Sequence, residues 1–385
     1  MRWLFFISII ILVYGSACFY TGMRLLDFSR YFSPNMKAVS FWLPFALLCL
    51  VLLFSNFIPH NLNFLRITGS VWLAVLLYML MFLALSEIVR LSLFIAGKKI
   101  PNINFYLTGA SIFLCALVIV FGIFHARFIK TVNYNITLKE SSENIQGASS
   151  MRIVLISDLH IGSYIGEAWI GRVVEAVNRA EPDMICIVGD IFDGNLDIIR
   201  DLPGIISQLR SFSAPLGVYA VLGNHDIDRM SFSGTGTEQI EEILKTAGIV
   251  LLKDEVKEIR SNLFIAGRKD ASPIGRSADR KIAQELLSGI NGTIIMLDHQ
   301  PTEFAQIEQA GADLLFCGHT HKGQVFPSTL ITRGIFKKAG STYYGYWQGR
   351  TMQAVVTSGA GVWGPPLRIG TNSEIAVINI DFMLQ

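Results

Sequence analysis

The sequence predicts a two-part protein in which an N-terminal bundle of transmembrane helices precedes a layered α/β domain. Long apolar stretches fill the first 130 residues, and strand-like and helical segments alternate after them. The charge changes at the same point. Residues 1–130 hold ten Lys/Arg and two acids, whereas residues 131–385 hold 22 and 28, so the net charges are +8 and −6. These opposite balances indicate a lipid and an aqueous environment. We therefore place the domain boundary after Lys130.

Four apolar stretches of the N-terminal part are predicted to be transmembrane helices. Each is about 18–26 residues long, which suits a hydrocarbon core of about 30 Å. Four spans would place both termini on one side of the membrane. Basic residues are balanced between the two sides, so the positive-inside rule leaves the side of the C-terminal domain open, with a lean to the cytoplasm. The stretches are residues 3–20, 41–58, 71–96 and 105–125.

Glu87 and Arg90 lie three residues apart within the third stretch. One interpretation is a functional polar site inside the membrane. The other is an ion pair on one helix face that neutralises both charges. We favour the neutralising pair.

The C-terminal part alternates between short apolar runs, typical of buried strands, and segments with helical periodicity. This alternation predicts βαβ units with helices covering the sheets. Strands are predicted at residues 133–139, 151–157, 184–189, 217–222, 263–267, 293–297, 313–317, 353–358 and 374–380. Helices are predicted at residues 169–180, 198–210, 236–247 and 301–310.

Five polar clusters follow predicted strands directly, at the strand ends where open α/β sheets bind ligands. They contain five of the seven histidines and supply nitrogen and oxygen donors without thiolates, a set suited to Mn, Fe, Zn or Co. Each cluster alone is weak, but their combination is specific. The clusters are Ser157–His160, Gly189-Asp190, Gly223–Asp226, Asp298-His299 and Gly318–His321.

The order D-x-H, G-D, G-N-H-D, H and G-H-x-H resembles the calcineurin-like metallophosphoesterase family from Met151 onward. The similarity is closest to its bacterial membrane-associated branch, because the last cluster continues as Gly323-Gln324-Val325 and the tail contains Arg368 and Glu374. Lys322 departs from that branch and adds a cation that could touch substrate. The resemblance implies a metallophosphoesterase sandwich, with two central mixed β-sheets flanked by helices, over residues 131–385.

The resemblance also implies a site for two divalent metal ions, with manganese as the working choice. The first ion would be held by Asp158, His160 and His321. The second would be held by Asn224, His299 and His319, and Asp190 would bridge both. A shared carboxylate would offset the repulsion between two cations about 3.5–4 Å apart.

His225 and Asp226 are the expected catalytic residues. In the family that the chain resembles, the histidine stabilises the transition state or protonates the leaving group. Asp226 would orient the His225 ring through its second nitrogen. The alternative is that His225 is a structural histidine packed under the loop.

Residues 334–349 (GIFKKAGSTYYGYWQG) combine glycines, aromatics and two lysines. The segment is predicted to be either a mobile loop that meets lipid headgroups or an irregular connection packed on the domain. The sequence does not distinguish the two.

The expected function is hydrolysis of a phosphomonoester, phosphodiester or pyrophosphate by a multi-pass protein of a bacterial plasma membrane. The helices favour a lipid-linked substrate, and some relatives in the branch cleave a UDP-linked diacylated sugar. The alternative is a catalytically weak sensor or scaffold whose helices carry the function. Residues 131–385 lack a basic stripe, so nucleic acid is not an expected partner.

Overall fold

The computed structural model describes residues 2–55, 58, 62–140, 150–194, 196–227, 237–271 and 280–384. The chain divides into two compact units. One comprises Met1–Phe124 with Gly364–Pro366, and the other comprises His125–Trp363 with Leu367–Gln385.

The described residues of the first unit form four helices. They are α1 (Arg2–Phe32), α2 (Ala38–Leu53), α3 (Asn63–Ile95) and α4 (Ile103–His125). Over the described residues, three helical segments are long and apolar enough to cross a membrane, namely Ser8–Phe32, Asn63–Ile95 and Ile103–His125.

The predicted span at residues 41–58 needs correction, because α2 has only 16 residues and ends at Leu53. At 1.5 Å per residue it extends about 24 Å, less than a hydrocarbon core of about 30 Å. Ser55 and Asn56, which follow, have low helix propensity, and the apolar composition of the stretch concealed this early end. Residues 56 and 57 of the predicted span lie outside the described residues.

The Glu87 carboxylate of α3 is contacted by two side chains of α1 and by one of α3 itself. The Tyr20 hydroxyl donates to Glu87 Oε1 over 2.5 Å, and the guanidinium groups of Arg24 and Arg90 pair with the same carboxylate. Arg90 also donates to Asn104 Oδ1 of α4 over 3.0 Å. The neutralising ion pair expected from the sequence is present, and the network extends it across three helices.

The second unit contains two six-stranded mixed sheets with helices alongside, which confirms the predicted α/β sandwich. The strand orders are β1-β12-β2-β3-β4-β5 and β10-β11-β9-β8-β7-β6. The strands are β1 (Ile129–Glu140), β2 (Ser150–Ile156), β3 (Met184–Val188), β4 (Val218–Val221), β5 (Val250–Leu251), β6 (Glu255–Arg260), β7 (Leu263–Gly267), β8 (Thr293–Leu297), β9 (Leu314–Cys317), β10 (Gly345–Gln348), β11 (Gln353–Val356) and β12 (Ser373–Leu384). The helices are α5 (Glu167–Arg179), α6 (Leu202–Arg210), α7 (Thr237–Thr246), α8 (Ala283–Leu286), α9 (Phe304–Gln309) and α10 (Ser328–Lys338).

Strand β2 shows why these strands are apolar throughout. Its alternate residues point to opposite faces, as β geometry requires. Ile153 and Leu155 pack with Phe316 in the core between the two sheets. Val154 and Ile156 pack in the second core cluster, which includes the apolar face of α5. Because both faces are covered, both sets of side chains must be hydrophobic.

The sheets also determine where the polar clusters meet. Strands β2, β3 and β4 run parallel to one another, as do β7, β8, β9 and β11 in the other sheet. Parallel strands place their carboxyl ends at the same edge of a sheet. The motif residues that follow β2, β3, β4, β8 and β9 are therefore delivered to common edges.

The segment at residues 334–349 is more regular than predicted. Its first five residues complete α10, and Gly345–Gln348 forms β10, antiparallel to β11. Trp347 packs edge-on against Phe304, with ring centroids 5.0 Å apart. The strand half of the segment therefore packs on the domain. The sequence did not indicate α10 because Gly334 and several β-branched residues give it weak intrinsic helix propensity.

Replacing Glu87 by Gln should lower the thermal unfolding midpoint of the detergent-solubilised full-length chain by several degrees. The substitution leaves Arg24 and Arg90 without a counter-charge among apolar helices. Asp27→Asn is the matched control, because Asp27 is an exposed acid of α1. Equal midpoints for both variants would contradict a stabilising role for the network.

Candidate metal centre

The side chains of the predicted metal ligands lie in two adjacent groups at the strand ends. Asp158 and His160 follow β2, and Asp190 follows β3. The remaining ligands follow β4, β8 and β9. The described residues contain three groups of mutually close donor atoms, and the two that consist of predicted ligands are Asp158–His160–His321 and Asp190–His299–His319.

The first group is almost fully buried. His160 Nε2 lies 3.1 Å from His321 Nε2, and His321 Nε2 lies 3.4 Å from Asp158 Oδ1. Two imidazole nitrogens at this distance can share at most one proton. Two imidazole nitrogens this close to each other beside a carboxylate form a donor set suited to a divalent cation.

The second group has a defined tautomer. His299 Nδ1 lies 2.8 Å from the Val188 carbonyl oxygen and must donate to it, so Nε2 is the ring nitrogen that faces the site. That Nε2 lies 3.1 Å from Asp190 Oδ2 and 3.3 Å from His319 Nδ1. The buried Asn224 Oδ1 has no hydrogen-bond partner within the described structure. A cation would satisfy this amide oxygen, so these residues fit a metal ion.

Asp190 lies between the two groups. Its Oδ2 is 3.1 Å from His299 Nε2 in one group and 3.7 Å from His160 Nε2 in the other. Its Oδ1 accepts a hydrogen bond of 2.8 Å from the His225 backbone N–H. This is the position that a bridging carboxylate needs.

The electrostatics of the second group favour a positive charge. Burial alone would lower the pKa of His299, but the carboxylates of Asp190 and Asp158 raise it well above the usual range. Burial and the neighbouring His299 lower the pKa of His319 to about 3. His319 is therefore uncharged at neutral pH. The surrounding carboxylates stabilise positive charge at His299 Nε2, whether a proton or a metal ion supplies it.

The backbone that carries these ligands is conformationally unusual. Positive φ angles, which are uncommon outside glycine, occur at five predicted ligands. Gly223 is needed for a different reason, since a Cβ atom there would lie 2.3 Å from Asp190 Oδ1. The five ligands with positive φ are Asp158, His160, Asp190, His319 and His321.

His225 lies at the rim of the centre, partly exposed. Its Nδ1 is 3.4 Å from Asp193 Oδ1, and the same oxygen is 3.5 Å from His160 Nδ1. Burial alone would lower the pKa of His225, but the carboxylates of Asp193 and Asp190 outweigh burial and raise it to about 9. The two carboxylates therefore favour the protonated form of His225. Sequence reasoning missed Asp193, although it stands three residues after Asp190 in the same strand-end loop.

Asp226 has different partners from those predicted. Its carboxylate accepts hydrogen bonds from the backbone N–H groups of Ile191, Phe192 and Gly223, over 3.1, 2.8 and 2.9 Å. Asp226 thus ties the loop after β3 to the loop after β4, and Asp193 is the carboxylate that faces the ring of His225. The prediction paired two residues that are adjacent in the chain, but neighbouring side chains need not face the same way.

Arg368 and Glu374, the tail residues of the motif, lie buried beneath the centre. The Arg368 guanidinium donates to the carbonyl oxygens of Ser358 and Gly361 over 2.7 Å and to that of His321 over 3.3 Å. Burial lowers the pKa of Arg368 to about 10, so it remains cationic at neutral pH. Arg368 thereby holds the backbone of a predicted ligand.

Lys322 has a partner within the domain. Its Nζ lies 3.8 Å from the centroid of the Tyr344 ring, and the Tyr344 hydroxyl donates to Glu374 over 3.0 Å. The ammonium group is thus held by a cation–π contact beside the centre.

Residues 151–323 match the family model described as calcineurin-like phosphoesterase. These residues form a calcineurin-like phosphoesterase domain. The family implies divalent metal ions, in agreement with the two groups of histidines and carboxylates.

Several relatives share the domain. An uncharacterized metallophosphoesterase of Campylobacter jejuni is 27% identical over 390 residues, covering 99% of each chain. A Danio rerio protein named transmembrane protein with metallophosphoesterase domain is 29% identical over 303 residues, covering 74% of this chain and 64% of that protein. The crystal structure of a 5'-nucleotidase precursor from Thermus thermophilus aligns with a TM-score of 0.34 and 16% identity, covering 60% of this chain and 55% of that one. With the three apolar helices, the relatives suggest a membrane protein.

Gly223→Ala should reduce the metal content of the purified protein, because the added Cβ must displace Asp190 or the backbone around it. The control is Gly166→Ala, since a Cβ at Gly166 meets no atom within 4 Å. Metal-to-protein ratios from elemental analysis, with circular dichroism to verify folding, provide the measurement. A folded Gly223→Ala protein with wild-type metal content would contradict this role of the glycine.

Proposed function

We propose that the protein is a membrane-anchored phosphoesterase with a binuclear metal centre. The observation that carries the proposal is the position of Asp190, whose Oδ2 faces histidines of both ligand groups. Phosphoester hydrolysis at a binuclear centre needs two cations held at a short separation, and a shared carboxylate allows that.

Seven side chains would hold the ions. Asp158, His160 and His321 would bind one ion, Asn224, His299 and His319 the other, and Asp190 both. When bound, two such metal ions would supply positive charge to a phosphoryl group and lower the pKa of a bound water to near neutral. The mixed nitrogen and oxygen donors suit manganese, iron, zinc or cobalt.

His225 would act on the leaving group. Its ring stands at the rim of the centre, the neighbouring carboxylates raise its pKa, and Asp193 Oδ1 lies 3.4 Å from Nδ1. With Nδ1–H directed to Asp193, Nε2–H is free to donate a proton to the departing oxygen. Asp193 would act as the positioning residue, because it orients the ring and stabilises its charge. Asp226 would support this step indirectly through the loop that carries His225.

The intact donor set favours an enzyme over the alternative of a sensor or scaffold. A domain retained only for binding would not need six converging donors, several of them in strained backbone conformations. Six of the seven proposed ligands belong to the two groups of mutually close donor atoms, which supports this choice.

The substrate that we propose is a phosphoester or pyrophosphate carried by a lipid, for example a UDP-linked diacylated sugar. The apolar helices support this, because the same chain that carries the centre has three segments able to span a bilayer. A tethered centre meets lipid-borne phosphates at high local concentration. The corresponding location is the plasma membrane of a bacterium.

His225→Ala should reduce turnover about 10²–10⁴-fold on substrates with poor leaving groups. The loss should be much smaller for p-nitrophenyl esters, whose leaving group needs no proton. Asp193→Asn should show the same dependence on the leaving group with a smaller loss. Steady-state kinetics at equal metal occupancy provide the measurement, and an equal loss on both substrate classes would assign His225 a structural role.

The substrate class can be tested with the full-length chain in lipid nanodiscs, loaded with Mn²⁺. Nucleotide-linked and phosphatidyl lipids in the bilayer should be hydrolysed with a higher kcat/KM than soluble nucleotides. Asp190→Asn should abolish activity on every substrate, whereas Asp381→Asn, a change at an exposed acid of β12, should not. Faster hydrolysis of soluble nucleotides would overturn the lipid proposal. A fully active Asp190→Asn protein would overturn the binuclear centre itself.

A further inference from the structure

Helix α10 presents an apolar and cationic surface to solvent. Among the described residues no side chain of this helix is fully buried. Leu330, Ile331 and Ile335 are 59%, 65% and 59% exposed, and Lys337 and Lys338 are exposed in its last turn. We call the exposed side chains of these five residues the α10 face.

Helical geometry places most of this surface on one side. Successive residues rotate by about 100° around the axis. Leu330, Ile331, Lys337 and Lys338 therefore point to a common side, which Ile335 flanks. Phe336, on the opposite side, is partly buried. The helix therefore directs Phe336 toward the domain and its aliphatic residues toward solvent.

The charge of α10 is entirely positive. Arg333, Lys337 and Lys338 are its ionisable residues, and its sequence, STLITRGIFKK, contains no acid. Exposed aliphatic side chains beside lysines are typical of helices that lie in the interface of a bilayer, with lysines paired to anionic headgroups.

The first turn of α10 packs closely against the loop that carries the last predicted ligands. A 3₁₀ turn at His321–Gly323 follows His319, and α10 begins five residues after Gly323. A Cβ atom on Gly323 would lie 2.5 Å from Thr329 Cα, so this turn and the first turn of α10 are in close contact. The position of α10 is therefore tied to that of the centre.

We propose that the α10 face docks on an anionic lipid bilayer, with Leu330, Ile331 and Ile335 entering the boundary between headgroups and acyl chains. The same chain contains candidate membrane spans that would anchor it in a bilayer, so a lipid surface is available for this contact. A second copy of the chain is disfavoured, because a symmetric contact would place Arg333, Lys337 and Lys338 of both copies near one another. The proposal concerns membrane contact and holds whatever substrate the centre hydrolyses.

The test uses the full-length protein in nanodiscs, with an environment-sensitive fluorophore on a single introduced cysteine. All five native cysteines are buried, so Ile331→Cys can be labelled selectively, with the wild-type chain as the labelling background. Lys245→Cys is the control, because Lys245 of α7 has a side chain that is 82% exposed. The label at residue 331 should emit at shorter wavelength and be quenched by doxyl-labelled lipid several-fold more strongly than the label at residue 245. Equal quenching at the two positions would overturn the proposal.

The charge of the bilayer gives a second measurement. Lipid quenching at residue 331 should increase when phosphatidylglycerol replaces part of the phosphatidylcholine. Lys337→Glu with Lys338→Glu should remove this increase, and Lys245→Glu should not. Shielding of the label that depends on protein concentration and not on doxyl lipid would indicate self-association and refute lipid docking. Mn²⁺-dependent hydrolysis of bis-p-nitrophenyl phosphate in the same nanodiscs reports on the centre separately, so the two proposals fail independently.

Discussion

The arrangement of the centre depends on one buried carboxylate, that of Asp190, which faces imidazole nitrogens of both ligand groups. Burying a carboxylate away from water is costly unless positive charge or hydrogen bonds compensate. Asp158 adds a second buried carboxylate close by. Imidazole rings surround them, and the carboxylates raise the pKa of His299. Divalent cations bound among these acids and imidazoles can compensate the cost of burying the carboxylates.

The surrounding structure keeps these groups in place at some conformational cost. Asp158, Asp190 and His321 adopt positive φ angles, which persist only where many contacts determine the backbone. Asp226 supplies such contacts to the loops after β3 and β4, and Arg368 supplies them to the loop that carries His321. These residues touch no reacting atom. They explain why polar residues are buried beneath the ligands where an apolar core would otherwise be expected.

The two units handle charge differently. In the first unit, Glu87 is compensated by Arg24 and Arg90, so no net negative charge remains at that position among the apolar helices. In the second unit, a bound cation would compensate the negative charge of the carboxylates in the centre. The exposed aliphatic and basic residues of α10 add a third case, a surface whose composition suits the boundary between lipid and water.

Much of the fold, and the convergence of the proposed ligands at the sheet edges, were predictable from the sequence. Apolar runs identified β2, β3, β4, β8 and β9, and the residues that follow these strands must meet at the sheet edges because parallel strands end together. Tertiary structure alone decided that Asp193 and not Asp226 faces His225, because the direction of a side chain depends on the path of its loop. It also decided that α2 ends at Leu53 and that residues 328–338 are helical. Local propensity was ambiguous at these places, and contacts with residues distant in the chain determined the outcome.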